Sequence, residues 1–394
     1  MHSFADESNR RLSALREQNL FRELRRVDSA QGPRIQIGGH PYLNFSSNDY
    51  LGLASHPMLK AAAIAAVEKF GAGAGASRLI CGSLAPFHEL EESLAAFKRT
   101  EAALTFATGY AAAGGTITAL CGKDDILILD KLVHACIVDG AKLSGAKLRV
   151  FAHNDLEDLE DKLRWATSTA RNSSMVTRHI LVITESIFSM DGDCAPLMGM
   201  VALKEKYGAW LMVDDAHATG ILGQHGRGLA DALGVSQQIE IQMGTLGKAL
   251  GASGGYICGS RALIDYLVNR ARSFIFSTAP VPAAAAAATA GIKLVQSAAG
   301  ESLRAQLRQR LAEFRSATVN RQPEMACPII PVILGDEAKT LAAAAQLRAQ
   351  NIFVPAIRYP TVARGAARLR ITLTAAHSGA DISELAAALA GLKT

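Results

Sequence analysis

The chain lacks a long apolar run. Its alanine-rich tract, Ala283 to Ala290, stops well short of the roughly 20 residues that span a bilayer, so no membrane segment is expected. A block of like charge is also missing. Lysine and arginine number 41 against 36 acidic residues, and the formal charge of +5 is spread along the chain, which argues against a nucleic-acid partner and leaves a weak pull on anions. Cysteine is sparse and unpaired in pattern. Cys81, Cys121, Cys136, Cys194, Cys258 and Cys327 include no Cys-x-x-Cys, so buried free thiols are expected rather than disulfides or a metal site. The opening residues, with Asp6, Glu7, Arg10 and Arg11, lack the apolar stretch of an export signal, and a cytoplasmic protein is the expectation.

What is present reads as an enzyme-sized α/β chain. At 394 residues it exceeds the usual single core, and 49% hydrophobic with 20% charged residues suits a folded catalyst. Residues 5–27 read as a charged helix carrying Leu12, Leu15, Leu20 and Leu24 at roughly helical spacing. Short β-like runs then recur at Ala103 to Phe106, Ile126 to Leu129, Ile180 to Thr184, Trp210 to Val213, Ile239 to Met243 and Tyr256 to Cys258, with helical patterns between most of them. That alternation predicts a mainly parallel central sheet with helices on both faces. After the alanine-rich helix the composition shifts, and a smaller α+β lobe follows. The expected division is residues 1–50 as an N-terminal helix and arm packing with the small lobe, 51–285 as a large domain, and 286–394 as the small C-terminal domain.

In parallel sheets ligands bind at the carboxyl ends of strands. Thr108-Gly109-Tyr110 follows one run and opens a helix, where free amides suit a phosphate. His134 and the acidic turn Glu185 to Asp193 follow two others, and each alone has a structural reading. Asp214-Asp215-Ala216-His217 ends a fourth; it suits a metal site, a catalytic dyad or a structural pair. About thirty residues on, Lys248 sits in Thr245-Leu246-Gly247-Lys248-Ala249-Leu250-Gly251, an apolar, tightly turned stretch. A lysine shielded from water suits a Schiff base, and a buried aspartate suits the ring nitrogen of pyridoxal phosphate. With Lys248 in view, and without further ligands, the metal reading falls behind.

These residues resemble the α-oxoamine synthases, a pyridoxal-phosphate family with the fold-type I, aspartate-aminotransferase-like architecture. The likeness runs through Ser47 to Leu53, Ser77-Arg78-Leu79, His153-Asn154-Asp155, Phe188 to Gly192, Asp214 to His217 and Thr245 to Lys248. Two departures, Ala249-Leu250 after the lysine and the plain stretch Gly71 to Ala76, remove no chemical group. Phe151 to Asp155, Val213 to His217 and Leu369 to His377 are closest to the branch that makes 8-amino-7-oxononanoate for biotin.

The resemblance implies that Lys248 bonds the cofactor, Asp214 pairs with the ring nitrogen, His217 meets the ring oxygen and His134 stacks on the ring. Ser189, Thr245, Gly109 and Tyr110 would contact cofactor oxygens, and Ser277 and Thr278 the phosphate of a neighbouring subunit in a homodimer. Asn48, Arg358 and Thr361 would serve the amino-acid and acyl side, with His134 over the substrate and Arg22, from the cluster Arg22, Arg25 and Arg26, taking the distal carboxylate. An exposed basic helix face is the alternative for that cluster. The implied reaction is a decarboxylative condensation of L-alanine with pimeloyl-CoA or pimeloyl-acyl carrier protein. The same cofactor chemistry also serves glycine C-acetyltransferase and serine palmitoyltransferase, so the acyl donor must be read from the distal pocket. A Rossmann-type nucleotide binder, suggested by Gly71 to Gly75, lacks its preceding strand.

Overall fold

The structure, a computed structural model, describes residues 3–171, 179–318 and 327–392. It divides into two units, one of Met1–Tyr50, Met190–Gly192 and Gln306–Thr394, the other of Leu51–Ser189 and Asp193–Ala305.

The larger unit is built on a seven-stranded sheet. Its strands lie in the order Ala102–Phe106, Gly255–Gly259, Ile241–Thr245, Trp210–Asp214, Ile180–Glu185, Ile126–Asp130 and Lys147–Phe151. All run parallel except Gly255–Gly259, which is antiparallel to both neighbours. Strands covered on both faces read as unbroken apolar runs, and Ile126–Asp130 and Ile180–Glu185 are buried along their whole length. The edge strand Lys147–Phe151 is mostly exposed and alternates charge with apolar residues, which is why no apolar run announces it in the sequence.

The alanine-rich helix Pro282–Gln296 belongs to this unit, so the division falls at residue 305 and not at the expected 285. Small residues let the helix pack closely on Pro57–Phe70 and Ala85–Lys98. Where it passes the lysine loop there is room only for glycine: a Cβ on Gly291 would stand 2.3 Å from the Leu250 carbonyl oxygen.

The smaller unit opens with helix Phe4–Glu17, shorter than the predicted 5–27. Asn19 takes a left-handed conformation (φ 56°) and the Leu20 amide donates back to the Leu15 carbonyl, which turns the chain out of the helix. Of the predicted leucine stripe, Leu20 is buried and Leu24 fully exposed. Arg22 therefore lies in the extended segment after the helix. The strands Arg34–Ile37 and His40–Asn44 form a hairpin across Gly38-Gly39, both at positive φ as its tight turn requires. Strands Ile329–Gly335, Ala367–Thr372 and Ala356–Ile357 make a second sheet; helix Glu337–Ala349 follows its first strand in sequence and helix Gly379–Ala390 follows its last.

A buried ion pair anchors the turn after strand Trp210–Asp214. Lys98 Nζ donates to Asp215 Oδ2 at 2.8 Å and to the Arg227 carbonyl at 2.5 Å, with both charged side chains almost wholly buried. Burial alone would lower the ammonium's pKa, but Asp215, then Tyr256, raise it above the ordinary value. Thr219 and the Leu229 amide complete the Asp215 shell, and Gly228 at φ 115° leaves room for the carboxylate. Removing one partner of such a pair strands a buried charge. Lys98→Met is expected to lower unfolding free energy by about 3–5 kcal/mol, read from denaturant midpoints; a loss below about 1 kcal/mol would contradict this assignment.

Candidate active site

The carboxyl ends of the parallel strands deliver the titratable side chains of the larger unit. Asp214 ends its strand in register with Glu185 on one side and Met243 on the other. Its Oδ1 accepts from the Ala216 amide at 3.0 Å, while its other oxygen has no hydrogen-bond partner among the described residues. Burial pushes the Asp214 carboxyl up, and Lys248, the Ala216 amide and His134 pull it back.

Lys248 is held by the turns that follow strand Ile241–Thr245. The Leu246 amide donates to the Gly254 carbonyl, Gly251 to Lys248 and Ala252 to Leu246, closing the loop on itself. Gly251 (φ 68°) is pressed against Leu53, whose carbonyl carbon a Cβ would meet at 2.6 Å. This close support places Lys248 Nζ 2.7 Å from His217 Nε2. His217 is buried and sits on the turn that Asp215 anchors, so the ion pair below the turn also fixes the imidazole above it.

Helix Gly109–Leu120 begins beside this group. Thr108 caps it by accepting from the Ala111 amide, and the Gly109 and Tyr110 amides form no hydrogen bond with the described residues. Their donors face outward from a helix start, which favours an anion. A Cβ on Gly255 would meet Gly109 Cα at 2.6 Å, so strand Gly255–Gly259 sets that helix start directly. Thr245 Oγ1 donates to the Gly254 carbonyl at 3.0 Å. Tyr110 is half exposed, and its hydroxyl bonds Asp139.

His134 caps helix Ala135–Ser144, its Nδ1 accepting from the Cys136 amide at 3.2 Å. That fixes Nδ1 as the acceptor and leaves the proton of the neutral ring on Nε2. Desolvation lowers its pKa and Lys248 adds to this, whereas Asp214 raises it. Ser189 follows strand Ile180–Glu185 on the turn that ends at Asp193. That turn is clamped by His153, whose Nδ1 meets Asp130 at 3.0 Å and Nε2 meets Asp193 at 2.7 Å. Burial opposes the imidazolium, but the two carboxylates raise His153 to about 10.

Ser277 and Thr278 make no hydrogen bond to the Lys248 group. Thr278 instead bridges Ser77 in antiparallel fashion, next to Arg78, which is locked to Glu91 by two bonds of 2.9 Å.

The smaller unit gathers the remaining predicted residues. Arg22 Nη2 donates to the Tyr359 carbonyl at 3.0 Å, Arg358 donates to the Asn19 and Phe21 carbonyls, and the Thr361 amide donates to Arg358. Burial, Arg22 and Arg25 hold the Arg358 guanidinium below its ordinary value, with Glu337 opposing. Its Nε is buried and has no partner among the described residues. Asn48 accepts from Arg370 at 3.1 Å; Arg370, itself buried, was not among the predicted residues. Glu185 was also missed as a single residue, since an acidic turn gives no sign of which carboxyl is buried. Arg370 sits in a β-like run, where an arginine among leucine and isoleucine was the available signal.

Pyridoxal phosphate needs an amine for its aldehyde, an anion for its ring nitrogen and donors for its phosphate. Lys248 would supply the first, the open oxygen of buried Asp214 the second, and the Gly109 and Tyr110 amides the third. The residues present fit the group.

Residues 40–389 match the family model Aminotransferase class I and II. The 8-amino-7-oxononanoate synthase of Geotalea daltonii is 48% identical over 99% of this chain and 97% of its own length. That of Anaeromyxobacter dehalogenans is 48% identical over 97% and 94%. A solved structure of SPT with its PLP internal aldimine superposes with a TM-score of 0.89 at 28% identity, covering 98% of this chain and 97% of that one. The chain belongs to the aminotransferase class I and II family and, within it, to the α-oxoamine synthases.

Proposed function

We propose that the chain condenses L-alanine with a pimeloyl thioester, with loss of carbon dioxide and of the carrier thiol, to give 8-amino-7-oxononanoate for biotin synthesis. The observation that supports this best is the 2.7 Å contact of Lys248 with His217 beside the open oxygen of Asp214, in a chain nearly half identical to synthases of that product. Pyridoxal phosphate is the cofactor, and when bound it supplies an electron sink for chemistry at the amino-acid α-carbon.

The chain's own residues do the rest. Lys248 Nζ holds the cofactor, and once released it takes the α-proton of alanine and returns it at the end of the cycle. His217 Nε2, at hydrogen-bond distance, fixes where Nζ points, and the imidazole would meet the ring oxygen of the cofactor. Asp214 keeps a proton on the ring nitrogen through its open oxygen. His134 would lie over the ring, Gly109, Tyr110, Ser189 and Thr245 would hold cofactor oxygens, and Asn48 and Thr361 would serve the substrates. Arg22 and Arg358 bind the distal carboxylate of the acyl chain. Support for that last role is the unpartnered Nε of Arg358 in a cluster of three arginines, an excess of positive charge that an anion relieves.

The enzyme is read as a cytoplasmic homodimer with Ser277 and Thr278 serving the neighbouring subunit's phosphate; a monomeric mass by light scattering would remove this part. Among the described residues no helix is long and apolar enough to cross a membrane.

Asp214→Asn is expected to retain cofactor and lose most α-proton exchange of alanine, by about a hundredfold or more, because a neutral amide does not hold the ring proton. Exchange in deuterated buffer measures it. An unchanged rate would move the role to another group.

A panel of acetyl, succinyl, pimeloyl and palmitoyl thioesters should show preference for pimeloyl. Arg358→Ala and Arg22→Ala should each raise KM for the pimeloyl donor about tenfold or more while leaving alanine binding intact, the size of a lost charged hydrogen bond. Equal turnover of acetyl or palmitoyl thioester would favour a sister activity of the family. An unaltered pimeloyl KM would remove the arginines from the site.

A further inference from the structure

Glu185 ends strand Ile180–Glu185 directly opposite Asp214 in the parallel register, and residues so paired point to the same face of the sheet. The Ser186 amide donates to the Asp214 carbonyl at 2.9 Å, tying the two strand ends together. The Glu185 side chain is buried, with the residue 3% exposed, and its Oε1 is shielded from solvent and has no hydrogen-bond partner among the described residues. An ionised carboxylate in that position would leave a full charge beside a second one. Two carboxyls that share a dry site do not both ionise, and the one with an oxygen shut off from solvent and left without a partner, Glu185, keeps its proton.

We propose that Glu185 is a positioning residue for the reaction: it stands as a neutral carboxylic acid behind Asp214 and so leaves the negative charge of the pair on Asp214, whose open oxygen faces the cofactor site. The inference rests on the pyridoxal phosphate reading above. Oε1 is closed off from solvent, so the effect of Glu185 on the reaction runs through Asp214.

The groups around Glu185 agree with this division. Burial and then Asp214 push its carboxyl up to about 8, opposed by Lys248 from the loop after strand Ile241–Thr245 and by the backbone amides of His134 and Ser189. Cys136, on helix Ala135–Ser144, faces the same carboxyls, and burial first, then Asp214 and Glu185, push its thiol up to about 12, so it adds no charge at neutral pH. His134 is held below its ordinary value and is neutral there as well.

Between the ordinary glutamate pKa of about 4.3 and a folded value of about 8, the folded protein binds a proton that the unfolded chain has released. Glu185 therefore makes stability fall as pH rises through that window. Glu185→Gln keeps the shape and removes the titration, so the variant's Tm advantage over the parent should grow from pH 5 to pH 8.

The direct test is infrared spectroscopy of the apoprotein. At pH 7 it should show a protonated-carboxyl band that vanishes as pH passes about 8 and is absent from Glu185→Gln. Asp214→Asn, which removes the repelling charge, should move the midpoint of that band downward, and this variant serves if Glu185→Gln fails to fold. Glu185→Gln should also bind pyridoxal phosphate within about threefold of the parent. Identical parent and Glu185→Gln spectra, an unmoved midpoint in Asp214→Asn, or a loss of cofactor affinity of tenfold or more in Glu185→Gln would each overturn the proposal. A parent protein that takes up no pyridoxal phosphate would instead sink the functional reading, because the infrared and Tm measurements need no cofactor.

Discussion

Asp214 and Asp215 are consecutive carboxylates at the end of a buried strand, and the structure depends on separating their charges. Asp215 turns to Lys98, Thr219 and the Leu229 amide and is fully satisfied within the fold. Asp214 takes a single amide and keeps an oxygen open. A carboxylate this deeply buried is costly unless partnered, so one aspartate stabilises the turn while the other remains for a ligand. The turn carrying His217 is held by Asp215, and Asp214 is left with an oxygen free for a ligand.

The same economy of space shapes the lysine loop. A flexible lysine is a poor catalyst unless its backbone is fixed, and here the fixing comes from contacts that admit no side chain at Gly251 and Gly291. The alanine-rich helix, which looks like filler in the sequence, is small-faced so that it can approach Leu250. Gly255 does the equivalent for the helix start at Gly109. Substitutions at these glycines would displace Lys248 or the phosphate donors without touching any reactive group.

Much of this was legible in the sequence. The apolar runs marked the strands because both faces of a parallel sheet are covered, and Lys248, Asp214 and His217 stood out because charge is rare at such strand ends. The structure brings Lys248 and His217 to 2.7 Å and gives Asp214 Oδ1 a single amide donor. Less visible features depended on long-range contacts. Leucine spacing extended the first helix to residue 27, whereas Asn19 turns the chain eight residues earlier, and spacing carries no record of a left-handed residue. The edge strand Lys147–Phe151 has no buried face to betray it. Lys98 and Glu185 look like surface charges until Asp215 and Asp214 are placed beside them, and the sequence distances of 117 and 29 residues hide both meetings.

Lys248 is the amine proposed to hold pyridoxal phosphate, and reductive trapping identifies the residue that bonds it. The holoprotein would be treated with borohydride, digested and mapped by mass spectrometry. A pyridoxyl group on Lys248, with loss of the visible absorbance, is the predicted result. Absorbance that persists, or the label on a different lysine in a protein that still forms product, would contradict it.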